Sequence, residues 1–406
     1  MTNAEQLDSL INIKIDELVP GMFVSGVLKQ SGQLRIKTQG LVKSKGIIEQ
    51  LKSKGILEVQ VDLNRSSQSV VDKYSTPEPE PEPTDNQIKE KTEGEALNEA
   101  QSLYDKAKIA HKRFLKRMQA GQVGNLEALK QSCNEMIESL FENANALQCL
   151  TLIKDDQEYL LQHCLNSAIL MGVFAKHLGF DKELINELCL AGLLMDAGMS
   201  TVPKEIIDKP RKLNSKEWNI IKSHVDNGME MVERMGELSD TIMNTIANHH
   251  ERLDGTGYPS AKAGKYIGIY GRMAAIVDTY DALTSDRPWR KALAPTAALK
   301  QLLADDSGKI DPSLVQQFIK CIGVHPVGSL VKLKSDRLGI IIKANTTEPL
   351  KPVVMCFYSL SSGMHTELKR VDLGMVKDEI ITSVRPEEFK INLNKFFREV
   401  FLASIK

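Results

Sequence analysis

The chain has 406 residues, more than one hydrophobic core usually organises, so two or three folded units are expected. Hydrophobic residues make up 42% and charged residues 26%, a balance that excludes a fibrous or wholly disordered chain. Lys plus Arg (52) and Asp plus Glu (53) nearly cancel, which excludes a global field drawing in nucleic acid or anionic lipid; any anionic ligand must be held locally.

The segment from Met1 to Phe23 lacks the basic flank and apolar core of an export signal. No run anywhere approaches the ~20 apolar residues of a membrane span, so a cytoplasmic protein with neither membrane nor nucleic-acid partner is expected. Cys133, Cys149, Cys164, Cys189, Cys321 and Cys356 are scattered without the close pairing of zinc ribbons or redox motifs, and read as buried free thiols.

In chain order, Ile13 to Asp62 reads as strand, turn, strand, helix, strand, with alternation at Met22 and Val24, at Leu34 and Ile36, and at Leu57, Val59 and Val61. This small α+β unit occupies residues 1–64. Residues 65–95 contain a Pro77-to-Pro83 run alternating with glutamate and read as an extended, self-repelling linker. Residues 96–150, rich in Ala, Leu, Glu and Lys without proline, predict one or two amphipathic connector helices; the basic run around His111 to Arg117 reads as a solvated helix face. Helical periods continue from Glu158 to about Leu303, broken at Gly179, Gly198, Pro210 and the Gly255–Pro259 loop, within an all-α domain spanning 151–325. Residues 326–406 switch to strands at Leu330 to Leu333, Leu338 to Ile342 and Val353 to Tyr358, a β-rich appendix with a last helix from Leu393 to Leu402. The fold class expected is mainly α, a helical bundle carrying two small units.

The helical domain holds His163, His177, His224, His249 and His250, among the chain's eight histidines, together with Asp196 and Asp278. Singly, each is more often a core or surface residue than a ligand. The adjacent His249 and His250 point ~100° apart on a helix, as two neighbouring cations would require. Asp278 and Asp281 share one face of an apolar helix, where a buried carboxylate needs a cation, a salt bridge or donors. Bundles place ligands from several helices in one core, and imidazole with carboxylate suits iron, manganese or zinc better than calcium.

His163, Met195-Asp196, His224, the run His249-His250-Glu251-Arg252-Leu253-Asp254-Gly255-Thr256-Gly257-Tyr258-Pro259, Asp278, and Asp281 through Pro288 together resemble the signature of the HD-GYP family, over about Tyr159 to Gly328. The Ile13-to-Asp62 unit is similar to the N-terminal domain often fused to such modules. The resemblance implies two or three divalent metals, iron or manganese with zinc as a third candidate, activating water to cleave cyclic di-GMP or a related cyclic dinucleotide. It assigns His163, Asp196 and Asp278 to one metal, with Asp196 bridging, and His224, His249 and His250 to the neighbouring sites. It gives Asp196, Asp278 and Arg287 to catalysis, and Arg287, Arg290, Gly257, Tyr258 and Pro259 to the substrate. It offers the GYP loop as a contact for diguanylate cyclases and leaves a homodimer open.

Two positions depart from that pattern. The family's paired histidine is Met195 here, and its lysine is Met199. A thioether is a poor ligand for hard divalent ions, and the missing lysine removes charge beside the scissile phosphate. Tyr159 stands where trinuclear members carry glutamate. Leu184, Leu188 and Met195 recur on one helix face, so Met195 also reads as core. A continuing helix would bring Met195 and Met199 to one side, unless Gly198 ends it. Two readings stay open: a working phosphodiesterase, and a non-catalytic module that senses the dinucleotide or contacts cyclases. A structural remnant whose activity lies in the N-terminal unit is a third.

Overall fold

A computed structural model describes residues 10–31, 39–67, 70, 93–152, 158–236, 238–304, 307–345, 347–389 and 391. The chain divides into two compact units, Met1–Glu90 and Lys91–Lys406. Most of the proline-rich linker, Leu34 and Ile36, and the expected helix from Leu393 to Leu402 lie outside the described residues.

The first unit is an antiparallel sheet of β1 (Leu10–Lys14), β2 (Phe23–Gln30), β3 (Gly40–Leu41) and β4 (Ile56–Asp62) in the order β1-β4-β2-β3, with α1 (Lys45–Ser53) leading into β4. Alternation in β4 turns Val59 and Val61 inward, where they meet Met22, Val24, Ile48 and Leu51 in a closed apolar core. Strand β2, α1 and β4 fall where periodicity predicts them; the strand expected at Leu34 and Ile36 lies outside the described residues, β1 and β3 add to the expected three strands, and Leu57 is exposed although it alternates in step with Val59 and Val61.

In the second unit, α2 (Glu93–Gln119) and α3 (Leu126–Thr151) form a hairpin; α3 kinks at Asn143, whose Oδ1 accepts the Ala146 N–H at 3.3 Å. These two helices are more than a connector. Phe114, Leu129, Met136 and Ile137 bury into the same core as the helices that follow. Next come α4 (Tyr159–His177), α5 (Lys182–Leu194), α6 (Lys204–Ile207), α7 (Ser215–Lys222), α8 (His224–Glu233), α9 (Asp240–Asn248), α10 (Ile269–Leu283), α11 (Pro295–Leu303) and α12 (Pro312–Ile322). The run from Leu161 to Ala175 in α4 is buried on every face, as expected of a helix hydrophobic all round.

Caps fix the register of the helices that carry the polar residues. Asp181 Oδ1 accepts the Leu184 N–H at 2.9 Å to start α5, and Asn214 with Glu217 forms a capping box on α7. Ser239 caps α9 and Asp311 caps α12, where proline occupies the first turn.

Beyond α12 an antiparallel sheet of β5 (Leu330–Leu333), β6 (Arg337–Lys343), β7 (Val353–Ser359), β8 (Met364–Asp372) and β9 (Ile380–Ser383) runs in the order β8-β7-β6-β5-β9. The first three strands fall where they are expected, but Leu338–Ile342 and Val353–Phe357 are buried throughout instead of alternately. β8 escapes a reading based on apolar alternation because most of its residues are exposed. Leu338, Ile340, Val354 and Phe357 continue the helical core, so sheet and bundle share one interior. All six cysteines are free, and all but Cys321 are buried. No helix among the described residues is long and apolar enough to cross a membrane.

Candidate metal centre

A break in helical structure brings Asp196 to the other polar residues. α5 ends at Leu194 with Met195 as its cap, and a 3-10 turn, Ala197–Thr201, carries the chain away. Met195 and Met199 are therefore not stacked on a continuing helix, contrary to one of the two expectations for this stretch. Met195 is wholly buried in the main core, as its place on the Leu184–Leu188 face predicts, and Met199 is half-buried. Asp196 sits at the break, on the turn that meets α8. A Cβ on Gly198 would lie 1.9 Å from the His224 carbonyl oxygen and 2.6 Å from the Gly228 nitrogen. Only glycine lets the turn pass this close, and the close passage sets Asp196 beside His224.

His163 on α4 is buried, and its Nδ1–H donates to Asp281 Oδ2 at 2.7 Å. Its Nε2 faces Asp196 Oδ2 at 3.1 Å and Asp278 Oδ1 at 3.2 Å. Asp281 is held in turn by Asn166, whose Nδ2 donates to Oδ1 at 2.9 Å, and Asn166 Oδ1 accepts from Tyr104 at 3.1 Å. This chain of partners orients the imidazole and selects its tautomer.

The other half is built from three rings. His224 Nδ1–H donates to the Ile221 carbonyl at 2.7 Å and His249 Nδ1–H to the Ile246 carbonyl at 2.6 Å. Both Nε2 lone pairs then face inward, 3.4 Å from each other, with Asp196 Oδ1 3.4 Å from His224 Nε2. Two lone pairs at that distance repel unless a cation or proton stands between them. His250 Nδ1 lies 3.4 Å from Asp278 Oδ2.

Two donor sets follow, each with ligand atoms within 4.8 Å of one another: Asp196, His224, His249 and His250, and His163, Asp196 and Asp278. Asp196 belongs to both. Its Oδ2 is buried with no hydrogen-bond donor aligned on it, an orphaned anion of the kind that a cation satisfies. The residues therefore fit divalent metal well: nitrogen and carboxylate donors, tautomers locked outward, and a shared bridging carboxylate.

Protonation follows the same logic. Burial works to raise the Asp196 and Asp278 pKa values, but the surrounding histidines hold both below the usual carboxylate range. Burial works to lower the His163 pKa, and the Asp196, Asp278 and Asp281 carboxylates around the ring reverse that direction and hold it above the ordinary imidazole range. Burial keeps His249 and His250 neutral, the form that ligates.

Around the donors, Tyr258 stacks on His250 at 4.6 Å between ring centroids. The loop bearing it is pinned by the buried Glu251, whose carboxylate accepts the backbone N–H groups of Ser260 at 2.8 Å and Lys262 at 2.9 Å. Gly257 allows the loop to fold onto itself, since a Cβ there would fall 2.4 Å from the Arg252 nitrogen. Pro259 is exposed. Tyr159 stacks on His163 at 5.5 Å and accepts a hydrogen bond from Arg287, whose guanidinium carbon lies 4.5 Å from the phenol ring centre. Burial pushes the Tyr159 pKa up to about 12, so it meets Arg287 as a neutral acceptor. Arg290 is placed differently: its guanidinium is engaged by the Ala282 carbonyl, and its backbone pairs with Arg287 in a tight turn. His177 lies apart, on Gln317.

Asp281, Glu251 and Tyr159 are visible in the sequence as part of the motif or beside it, but their hydrogen-bonding roles are not. Asn166 is the working residue that the sequence reading misses, and its i, i+3 spacing from His163 is the signal that would have found it.

Residues 143–314 match the family model described as HD domain, and residues 10–145 match one described as a domain of unknown function, DUF3391. Cyclic di-GMP phosphodiesterase PA4108 of Pseudomonas aeruginosa is 35% identical over 280 residues, covering 69% of this chain and 67% of that protein. 3'3'-cGAMP-specific phosphodiesterase 1 of Vibrio cholerae is 31% identical over 176 residues, 43% of this chain and 41% of that protein. Among solved structures, Bd1817, an HDG"Y"P protein from Bdellovibrio bacteriovorus, covers 76% of this chain and 98% of its own at 16% identity and a TM-score of 0.48.

Proposed function

The chain belongs to the HD-GYP family of HD-domain phosphodiesterases, and from that premise we propose that it binds a cyclic dinucleotide over two divalent metals and hydrolyses it. The observation that carries this reading is the pair of donor sets sharing Asp196. The four-donor set, Asp196 with His224, His249 and His250, would hold its ion firmly. The three-donor set, His163, Asp196 and Asp278, would hold a second ion with fewer protein donors, the arrangement catalytic sites use. Iron or manganese, then zinc, suit this mixture of imidazole and carboxylate. Bound cations would supply acidity to water and offset phosphate charge.

The chain's own residues do the rest. In hydrolysis water adds to phosphorus, one bridging ribose oxygen departs, and the proton given up by the water ends on that oxygen. Arg287, fixed by Tyr159, presents a guanidinium to a non-bridging oxygen. Met199 offers neither charge nor proton, so the step lacks one electrostatic contribution. Purified full chain should therefore carry metal and cleave cyclic di-GMP slowly. Turnover and elemental analysis on the same sample test this, and metal-free protein that takes up no added metal would end it.

One observation favours a second reading. Met195 is wholly buried in an apolar core, which suits a binding module without turnover. Such a module would bind dinucleotide tightly and release it unchanged. The pinned GYP loop, with Pro259 exposed, would then be the contact for diguanylate cyclases, tested by pull-down with Tyr258→Ala as control. A cytoplasmic location accompanies both readings, and light scattering on the same sample tests the homodimer.

A further inference from the structure

The chain has only two tryptophans, Trp218 and Trp289, and both lie on the surface, 45% and 41% exposed. A single exposed aromatic needs no explanation. These two, however, stand at the ends of matching ladders that start from the metal centre. From His250 the first ladder runs to Tyr258 at 4.6 Å and on to Trp218 at 6.2 Å, with Lys222 6.0 Å from the Tyr258 ring centre. From His163 the second runs to Tyr159 at 5.5 Å, then to Arg287, and on to Trp289, whose ring centre is 5.9 Å from the guanidinium. The two ladders leave from different oxygens of one carboxylate, since His163 faces Asp278 Oδ1 and His250 faces Asp278 Oδ2. Each ladder thus has one imidazole, one tyrosine, one cation and one exposed tryptophan.

That duplication matches a ligand with two phosphates and two flat bases. We propose that Trp218 and Trp289 are the stacking platforms for the two purine bases of a cyclic dinucleotide, with Lys222 and Arg287 meeting its phosphates. The inference rests on the reading given under Proposed function. Stacking is indifferent to which purine is stacked. A site built this way binds cyclic di-GMP and 3'3'-cyclic GMP-AMP with similar affinity, discrimination being left to other contacts.

Because no other tryptophan is present, emission excited at 295 nm reports on these two positions alone. Zinc-reconstituted full chain, titrated with cyclic di-GMP, with 3'3'-cyclic GMP-AMP and with 5'-GMP, should show quenched emission. Calorimetry should show Trp218→Leu and Trp289→Leu each weakening dinucleotide binding by about 5- to 150-fold, from the usual worth of one base stacked on an aromatic. Metal content and melting temperature should stay at wild-type values, and Trp218→Phe and Trp289→Phe should recover most of the affinity. Dinucleotide binding that neither leucine variant weakens would overturn the stacking role and leave the functional reading standing. Quenching by 5'-GMP, lost in the leucine variants, with no dinucleotide binding would support the platforms and overturn the functional reading. Absence of binding by all three nucleotides would overturn both.

Discussion

Replacing Asp281 with asparagine isolates what orients His163. Both oxygens of Asp281 face donors, His163 Nδ1 at 2.7 Å and Asn166 Nδ2 at 2.9 Å. An amide has one acceptor oxygen and one donor nitrogen. If its oxygen stays on Asn166, its nitrogen faces His163 Nδ1, which must become an acceptor. The ring proton then moves to Nε2, the atom that faces Asp196 and Asp278, and the ligating lone pair is lost. If the amide turns over, two NH2 groups oppose each other. Either arrangement forfeits a hydrogen bond to a charged group, worth about 1.5–3 kcal/mol, or roughly 10- to 150-fold in a dissociation constant. Loss of such an orienting partner typically weakens metal binding by ~10–100-fold, in the same range. Titration against a chromophoric chelator should show one ion weakened by this factor and the other, on His224, His249 and His250, unchanged. His177→Ala serves as the control, because His177 lies apart from the donors. Two ions binding Asp281→Asn as tightly as wild type, or weakening together, would refute the division into two donor sets.

Gly198→Ala should separate the Asp196 turn from α8, because its Cβ would overlap the His224 carbonyl; a stability loss of about 1–3 kcal/mol by denaturant melt, with loss of metal, is expected, and a neutral result would contradict the packing. Glu158 joins α2 to the start of α4 through Lys108 at 2.6 Å and Lys112 at 2.5 Å, which hold its carboxyl down at about 2. A depressed carboxylate stabilises fully above its unfolded pKa, ~4.3, and loses that contribution as pH falls toward 2, so the gap in denaturant midpoint between wild type and Glu158→Gln should be constant above about pH 5 and close on acidification. Met195→His with Met199→Lys should raise cyclic di-GMP turnover markedly over wild type, by ~10³-fold if the ligand and the charge both return, with each single change recovering less. Equal rates for wild type and double variant would show that the methionines are compatible with catalysis, and, because α5 ends at Met195, Met195→His alone should recover more than Met199→Lys alone. Limited proteolysis should cut between Arg65 and Gly94 and leave two fragments that each melt cooperatively; cleavage inside the bundle instead would contradict two separate units.

Much of this protein is written in local pattern. Strand β2, helix α1 and strand β4 of the first unit, the long helices of the second, and the switch to strands after His325 follow from periodicity, because a 3.6- or 2-residue repeat needs only neighbouring residues to be visible. The donors themselves, His163, Asp196, His224, His249, His250 and Asp278, were legible as a motif, and so was the core character of Met195. Tertiary packing decided what those residues do together. Asp196 reaches His224 because Gly198 permits a contact between segments whose spacing in sequence says nothing of distance. Asp281 and Asn166 act on a histidine from a different helix or a different turn, and Tyr159 meets Arg287 across 128 positions. The helices of 93–151 join the bundle core because their apolar stripes have somewhere to bury, a fact about the partner surface as much as about the stripe. Residue identity and local repeat are properties of the chain, whereas convergence and protonation state depend on low-dielectric neighbours brought together from afar, and only the fold supplies those.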